Sequence, residues 1–183
     1  MKGGGAMGLV HAPDPVKLVI AMLGITQNSL EEAEAALMAT FGGIDLRSQD
    51  LPFTHTRYYE REMGAGLLRR IVSFTTLVDP GELASTKLAT NAIEASLALE
   101  GQRRVNLDPG YLTAAKLVLA TTKNNAHRIY LGQGIYAEVT LAYHDGAYRP
   151  WPWTYPDYAE GTYNEILLRI RQRYLAQLRA MRG

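Results

Sequence analysis

RRVNLDPGYLTAAKLVLATT, residues 103–122, is the stretch on which the fold turns. Its middle has the chemistry of a helix start: Asp108 can cap, Pro109 suits the first turn, and Leu112 and Leu117 follow. The same pattern stands earlier in the chain, where Asp79, Pro80, Gly81, Leu83, Lys87 and Leu88 recur as Asp108, Pro109, Gly110, Leu112, Lys116 and Leu117. Shared helix-start chemistry accounts for one such echo, so no repeat is inferred. The reading is a strand over RRVNL (103–107) and a short helix over 109–120, with a strand over LVLATT as the alternative.

Upstream, VKLVIAMLG (16–24) is a continuous apolar run ending in glycine, as in a buried strand. A helix follows, with Ser29 and Glu32 as a capping box, Leu30, Ala33, Leu37 and Phe41 as its apolar face, and Gly42 as its stop. IDLRSQDLPF (44–53) contains a proline and reads as an edge strand. LLRRIVSFTTLV (67–78) is a stronger strand. The second helix begins at Asp79, carries Ala84, Leu88, Ala92, Ala95 and Leu99 on one stripe, and closes at Gly101. Downstream, HRIYL and IYAEVTLAY flank Gly132-Gln133-Gly134, a hairpin signal. RPWPWTYPDY (149–158) reads as an irregular arm, and a last helix starts near Thr162 and runs to Met181. This order predicts an α+β fold. Its core is a ferredoxin-like βαββαβ unit with helices on one face of a mainly antiparallel sheet, extended by a β-hairpin and a C-terminal helix.

The length of 183 residues suits one domain, here 15–183, after a flexible tail at 1–14. A net charge of +1 disfavours a dedicated nucleic-acid or membrane-surface protein. Without cysteine there are no disulfides, thiolate nucleophiles or thiolate metal sites. The start MKGGGAMG has no signal-peptide core, and no apolar run reaches membrane-spanning length, so a cytoplasmic protein is expected. No GxxxxGK[ST], helix-opening GxGxxG, GxSxG or HExxH occurs. The histidines at 11, 55, 127 and 144 lie far apart, so no metal site is expected. Nor are His55 and His127 in the H-x-[ST] form of two-histidine phosphoesterases. Whether a cofactor is used is left unknown by these motifs.

Around Gly132-Gln133-Gly134 the hairpin pairs Leu131 with Ile135, Tyr130 with Tyr136, Ile129 with Ala137 and Arg128 with Glu138. Those pairings stabilise a sheet without any function. The polar approach from Thr121 to His127 is left unexplained by them. Asn106 and Asp108 bracket the end of a neighbouring strand; Asp108 is either a helix cap or part of an anion pocket at a helix N-terminus. The expected site therefore combines Asn106, Asp108, Tyr111, Lys123 and Arg128 with Glu138 at the sheet edge. Lys123 and Arg128 would neutralise a small phosphorylated or nucleotide-like ligand, and His127 is the candidate proton carrier. FTHTRYYEREMG (53–64) offers His55, Arg57, Tyr58, Tyr59, Glu60 and Glu62, a run that reads as a solvated loop. The rival is a non-catalytic interaction module, a homodimer for instance, using Trp151, Trp153, Tyr155 and Tyr158 with the arginines at 169, 171, 173, 179 and 182. An RNA-binding face on that helix ranks third, because cations near a helix C-terminus are favoured anyway.

The strings RRVNLDPGYLTAAKLVLATTKNNAHRIYLGQGIYAEVTL and PWTYPDY, with the earlier PVKLVIAML and YYEREMGAGLLRR, resemble a bacterial and archaeal family known as domain of unknown function 4416. The resemblance runs from about Pro15 onward. It implies a single domain in an intracellular setting and carries over no site residue.

Overall fold

The computed structural model of the chain describes residues 9–54 and 59–183. Strand β1 (Val16–Gly24) is followed by helix α1 (Gln27–Phe41), strands β2 (Ile44–Arg47) and β3 (Leu51–Pro52), and the short helix α2 (Glu60–Met63). Strand β4 (Leu68–Val78) leads through a 3-10 turn into α3 (Leu83–Ser96). Then come β5 (Val105–Leu112), β6 (Lys116–Thr121), β7 (Ile129–Gly132), β8 (Ile135–His144) and β9 (Ala147–Pro150), with α4 (Pro156–Ala159) and α5 (Asn164–Arg182) last. The strands form one antiparallel sheet in the order β2-β4-β1-β5-β6-β8-β7, with β3 beside β4 and β9 beside β8.

The expected helix over 109–120 does not form. Residues 105–112 and 116–121 are the strands β5 and β6, so LVLATT is extended, as the alternative reading had it. Two local facts explain this. At Gly110 an added Cβ would lie 2.2 Å from the Val118 carbonyl oxygen, so only glycine lets β6 approach so closely. Asp108 accepts a hydrogen bond from the Asn106 side chain, whereas Asp79 does cap, accepting from the Gly81 amide at 2.7 Å.

The β5–β6 ladder is short. Strand β5 pairs with β1 along its whole length, from Gly24↔Val105 to Lys17↔Leu112. It pairs with β6 only at Gly110↔Leu119, Tyr111↔Val118 and Leu112↔Leu117. Pro109, which has no N–H to donate, stands where the ladder stops. Beyond it β6 turns toward β8, and the sheet splays.

Every residue of β1 is buried, so both faces of the sheet need cover. Leu30, Ala33 and Leu37 of α1 and Ile93 of α3 pack with Leu18, Ile20, Met22, Val72 and Phe74 on one face. On the other face Ile166, Leu167, Ile170 and Tyr174 of α5 pack with Val19, Ala21, Ile71, Leu112 and Leu119. Helices thus lie on both faces, where the sequence suggested one. Some helix boundaries also differ. Thr26, with Ser29 at the third helical position, forms the capping box of α1, and α3 ends at Ser96, five residues before Gly101. The final helix begins at Asn164 without a side-chain cap at Thr162.

Burial raises the pKa of six tyrosines, Tyr59, Tyr111, Tyr148, Tyr158, Tyr163 and Tyr174. The unfolded chain ionises these phenols near pH 10, whereas the fold holds their protons to higher pH. Their contribution is complete below about pH 10 and is lost as pH rises beyond it. Tyrosinate absorbance on alkaline titration should therefore rise in two phases, with the buried group appearing only together with loss of circular dichroism. Smooth titration of all the phenols with the fold intact would contradict the burial pattern.

Candidate functional site

The splay between β5 and β6 opens a cleft of about 1480 Å³. Side-chain alternation decides what faces it. Asn106 and Asp108 point from β5 into the cleft, while Leu107 between them packs under α1 and α3. Of the residues expected from sequence, Asn106, Asp108, Lys123, Arg128 and Glu138 line this one cleft. Tyr111 does not. It stands an odd number of residues from Asp108, so it faces the other way, against the cluster of Leu83, Ala84 and Val118, and lines a separate cavity of about 500 Å³.

Arg128, the residue before β7, and Glu138 of β8 form the side-chain pair that the hairpin reading expected. Ile129↔Ala137 and Tyr130↔Tyr136 pair as expected, but Gly132, displaced by a bulge, takes the place of Leu131 opposite Ile135. Ile129 and Leu131, on the edge strand β7, are exposed instead of facing the core. The Arg128 side chain is only 2% exposed and holds the 121–128 loop down. Its Nε donates to Glu138 Oε2 at 2.9 Å, Nη1 to the Lys123 carbonyl at 3.0 Å and Nη2 to the Tyr155 hydroxyl at 3.2 Å. His127 Nε2 lies 3.0 Å from the same Glu138 oxygen, and its ring stacks on Trp153 at 5.2 Å and 11°. Trp153 in turn stacks on Trp151 at 5.4 Å and donates to the Val139 carbonyl at 3.1 Å. The proline-rich arm therefore lies over the sheet beside the hairpin, and His127 meets the cleft through Glu138.

The residue that the sequence reading overlooked is Arg69. Two arginines in succession on β4 must point to opposite faces. Arg70 turns toward α1, where it is paired by Glu34 at 3.0 Å and doubly by Asp50. Arg69 turns into the cleft and is 4% exposed. Its Nη2 donates to Asp157 Oδ2 at 3.4 Å, and its guanidinium lies 4.8 Å over the Phe53 ring. Nη1 stands 3.6 Å from Asp108 Oδ2, an ion-pair distance too long for a hydrogen bond. Among the described residues, neither Nε nor Nη1 has a hydrogen-bond partner. Burial opposes the charge of Arg69, but Tyr158, Asp108, Tyr163 and Asp157 outweigh it and hold the pKa above the ordinary arginine value.

A polar seam on α3 completes the wall. Lys87 donates to the Leu107 carbonyl at 2.7 Å and stands 3.9 Å from Asp108 Oδ1. Glu94 accepts from the Leu107 amide at 2.7 Å, and burial pushes its carboxyl above the usual range against the pull of Lys87. The buried side of α3 thus includes Lys87, Thr90 and Glu94; Ala84 of the alanine–leucine stripe is buried with them, whereas its Leu88 and Leu99 are exposed. Tyr59 and Glu62 line the cleft; His55, Arg57 and Tyr58 lie outside the described residues. Among the described residues no group of three or more histidine or carboxylate side chains could hold a metal ion. Among them, too, no helix is long and apolar enough to cross a membrane.

A family model described as domain of unknown function (DUF4416) matches residues 14–174. No curated protein and no solved structure matches the chain.

Proposed function

Because this chain belongs to the DUF4416 family, whose description carries no activity, we propose its function from the cleft itself: it binds a small phosphorylated or nucleotide-like ligand, with the anionic group on Arg69. The observation that carries this reading is a buried, charged guanidinium inside a cleft with two nitrogens that make no hydrogen bond among the described residues. Leaving N–H donors of a buried charged group without hydrogen bonds costs more than the roughly 1–3 kcal/mol of a neutral donor. A phosphate oxygen supplies the missing acceptor in charge-assisted form. Lys87, Arg103 and Lys123 line the same cleft and add positive charge to its walls. Arg128, with three nitrogens already engaged, orders the 121–128 loop. His127 with Glu138 is the candidate proton carrier.

Titration calorimetry with inorganic phosphate and nucleotides tests the reading. Wild-type protein with the bound compound at a hundred times its dissociation constant should gain about 2.7 kcal/mol of stability in a thermal melt. Arg69→Met should weaken phosphate binding about a hundredfold, equivalent to about 2.7 kcal/mol, with circular dichroism unchanged. If no phosphate-bearing compound binds wild type, or if Arg69→Met binds equally well, the reading is wrong.

A second reading is favoured by the patch of Ile129, Tyr130, Leu131, Trp151, Trp153 and Tyr155, all exposed, beside the sheet-edge strand β7. Such a patch suits an interface with a second copy, and light scattering that finds only monomers would remove it. An RNA-binding face on α5 is less favoured. Arg171 stacks over Tyr143 at 3.6 Å, Arg173 lies 3.8 Å from Asp45, and Arg182 pairs with Asp14, so three of its arginines are turned to intramolecular contacts. For the fold, we infer that β1, α1, β2, β4, α3 and β5 make a ferredoxin-like unit. The strand order β2-β4-β1-β5 and the placing of α1 and α3 on one face support this.

A further inference from the structure

The cleft is no electropositive funnel. Among the described residues its lining carries six cationic and six carboxylate side chains. A bare phosphate would meet as many like charges as opposite ones, so the ligand must also engage carboxylates.

Asp108 is the carboxylate best placed for that. Its side chain is 28% exposed and lines the cleft, beside an Arg69 side chain that is 5% exposed. Asn106 donates from Nδ2 to Asp108 Oδ2 at 2.8 Å, and Arg103 donates to Asn106 Oδ1 at 3.1 Å. With both ends of its amide engaged, Asn106 cannot flip, and it fixes the carboxylate in one orientation. The cations beside Asp108 stand off: Arg69 Nη1 at 3.6 Å and Lys87 Nζ at 3.9 Å are beyond hydrogen-bond range. A carboxylate has about four acceptor positions, and among the described residues only the bond from Asn106 occupies one here. Two neighbouring cations repel a third positive group but leave neutral O–H donors welcome. The short separation of Arg69 and Asp108 also asks for a phosphate and hydroxyls within one small molecule.

We propose that the cleft takes a phosphorylated sugar, its phosphate on Arg69 and its ring hydroxyls donating to Asp108. This rests on the anion-binding reading of Arg69 and adds the class of molecule. Asn106 is a positioning residue for Asp108.

The test is titration calorimetry of the full chain with ribose 5-phosphate, AMP and butyl phosphate, the last having a phosphate but no hydroxyls. Ribose 5-phosphate should bind about tenfold tighter than butyl phosphate, as a hydrogen bond to a charged acceptor is worth roughly a decade in affinity. Asp108→Asn should erase that advantage while leaving butyl phosphate binding unchanged or tighter, since a nearby negative charge is gone. A merely structural role for Asp108 would weaken both ligands together and would overturn the proposal. AMP binding tighter than ribose 5-phosphate identifies the sugar as part of a nucleotide, and equal affinities identify the free sugar phosphate. If wild type binds butyl phosphate and ribose 5-phosphate equally, the hydroxyl inference fails and the anion site stands. If it binds none of the three, both fall.

Discussion

Lys17→Met is expected to remove about 3–5 kcal/mol of folding stability, the cost of breaking a buried ion pair on one side. Lys17 is fully buried on β1. Its Nζ donates to Asp45 Oδ2 at 2.5 Å and to Gln177 Oε1 at 2.7 Å. Ser73 donates to the other Asp45 oxygen at 2.7 Å. One charge pair therefore joins β1, β2 and β4 to α5. Burial lowers the lysine pKa, and the hydrogen bond and charge of Asp45 work against that fall. Removing the ammonium leaves a carboxylate with a side chain 6% exposed, relieved among the described residues by Ser73 and by Arg173 at 3.8 Å. Urea denaturation measures the loss. The double change Lys17→Met with Asp45→Leu should recover most of it, because two apolar side chains of similar volume replace the pair. A loss below about 1 kcal/mol, the range of an exposed pair, would sink this account.

Gly110→Ala should destabilise by about 3 kcal/mol or more, an unusually large effect for one methyl group. The new Cβ would lie 2.2 Å from the Val118 carbonyl and 2.6 Å from Leu119 Cδ2. Leu119 can move, but the Val118 carbonyl belongs to the three-pair ladder of β5 and β6. The strands must separate there, and β6, β8 and β7 lose their join to the rest of the sheet. Gly134→Ala is a suitable control. Its φ of 77° is strained for alanine, yet no atom stands within 4 Å, so only a backbone penalty of about 1 kcal/mol is expected. Equal melting temperatures for the two variants would show that the close approach carries no energy.

Gly110 also shows why the central stretch was misread. Asp-Pro-Gly at 79–81 and at 108–110 is one string with two outcomes, and nothing local separates them. The deciding contact is with Val118, across a turn whose existence depends on the same choice. Elements set by local chemistry were legible. The run at 16–24, the helix closed by Gly42, the strand at 68–78 and the Tyr130–Tyr136 pairing each need only near neighbours in sequence. The cleft residues follow the same division. Asn106, Asp108, Lys123, Arg128 and Glu138 stood out as polar groups at strand ends, where sites gather. Arg69 sits inside a strand and Lys87 and Glu94 on the hidden side of a helix, positions where periodicity points to apolar side chains. They are buried because distant charges meet them: Asp157, Asp108 and Arg103.

The three-pair join of β5 and β6 makes the cleft a lever with a short grip. At about 3.3 Å per residue, Asn106 stands roughly 13 Å out from Gly110 along the strand. A change of five degrees in the angle between the strands displaces a wall at that radius by about 1 Å, the scale on which oriented binding is won or lost. The width at the ligand's end is thus set at the opposite end, by how Leu112 and Leu117 pack beneath α5.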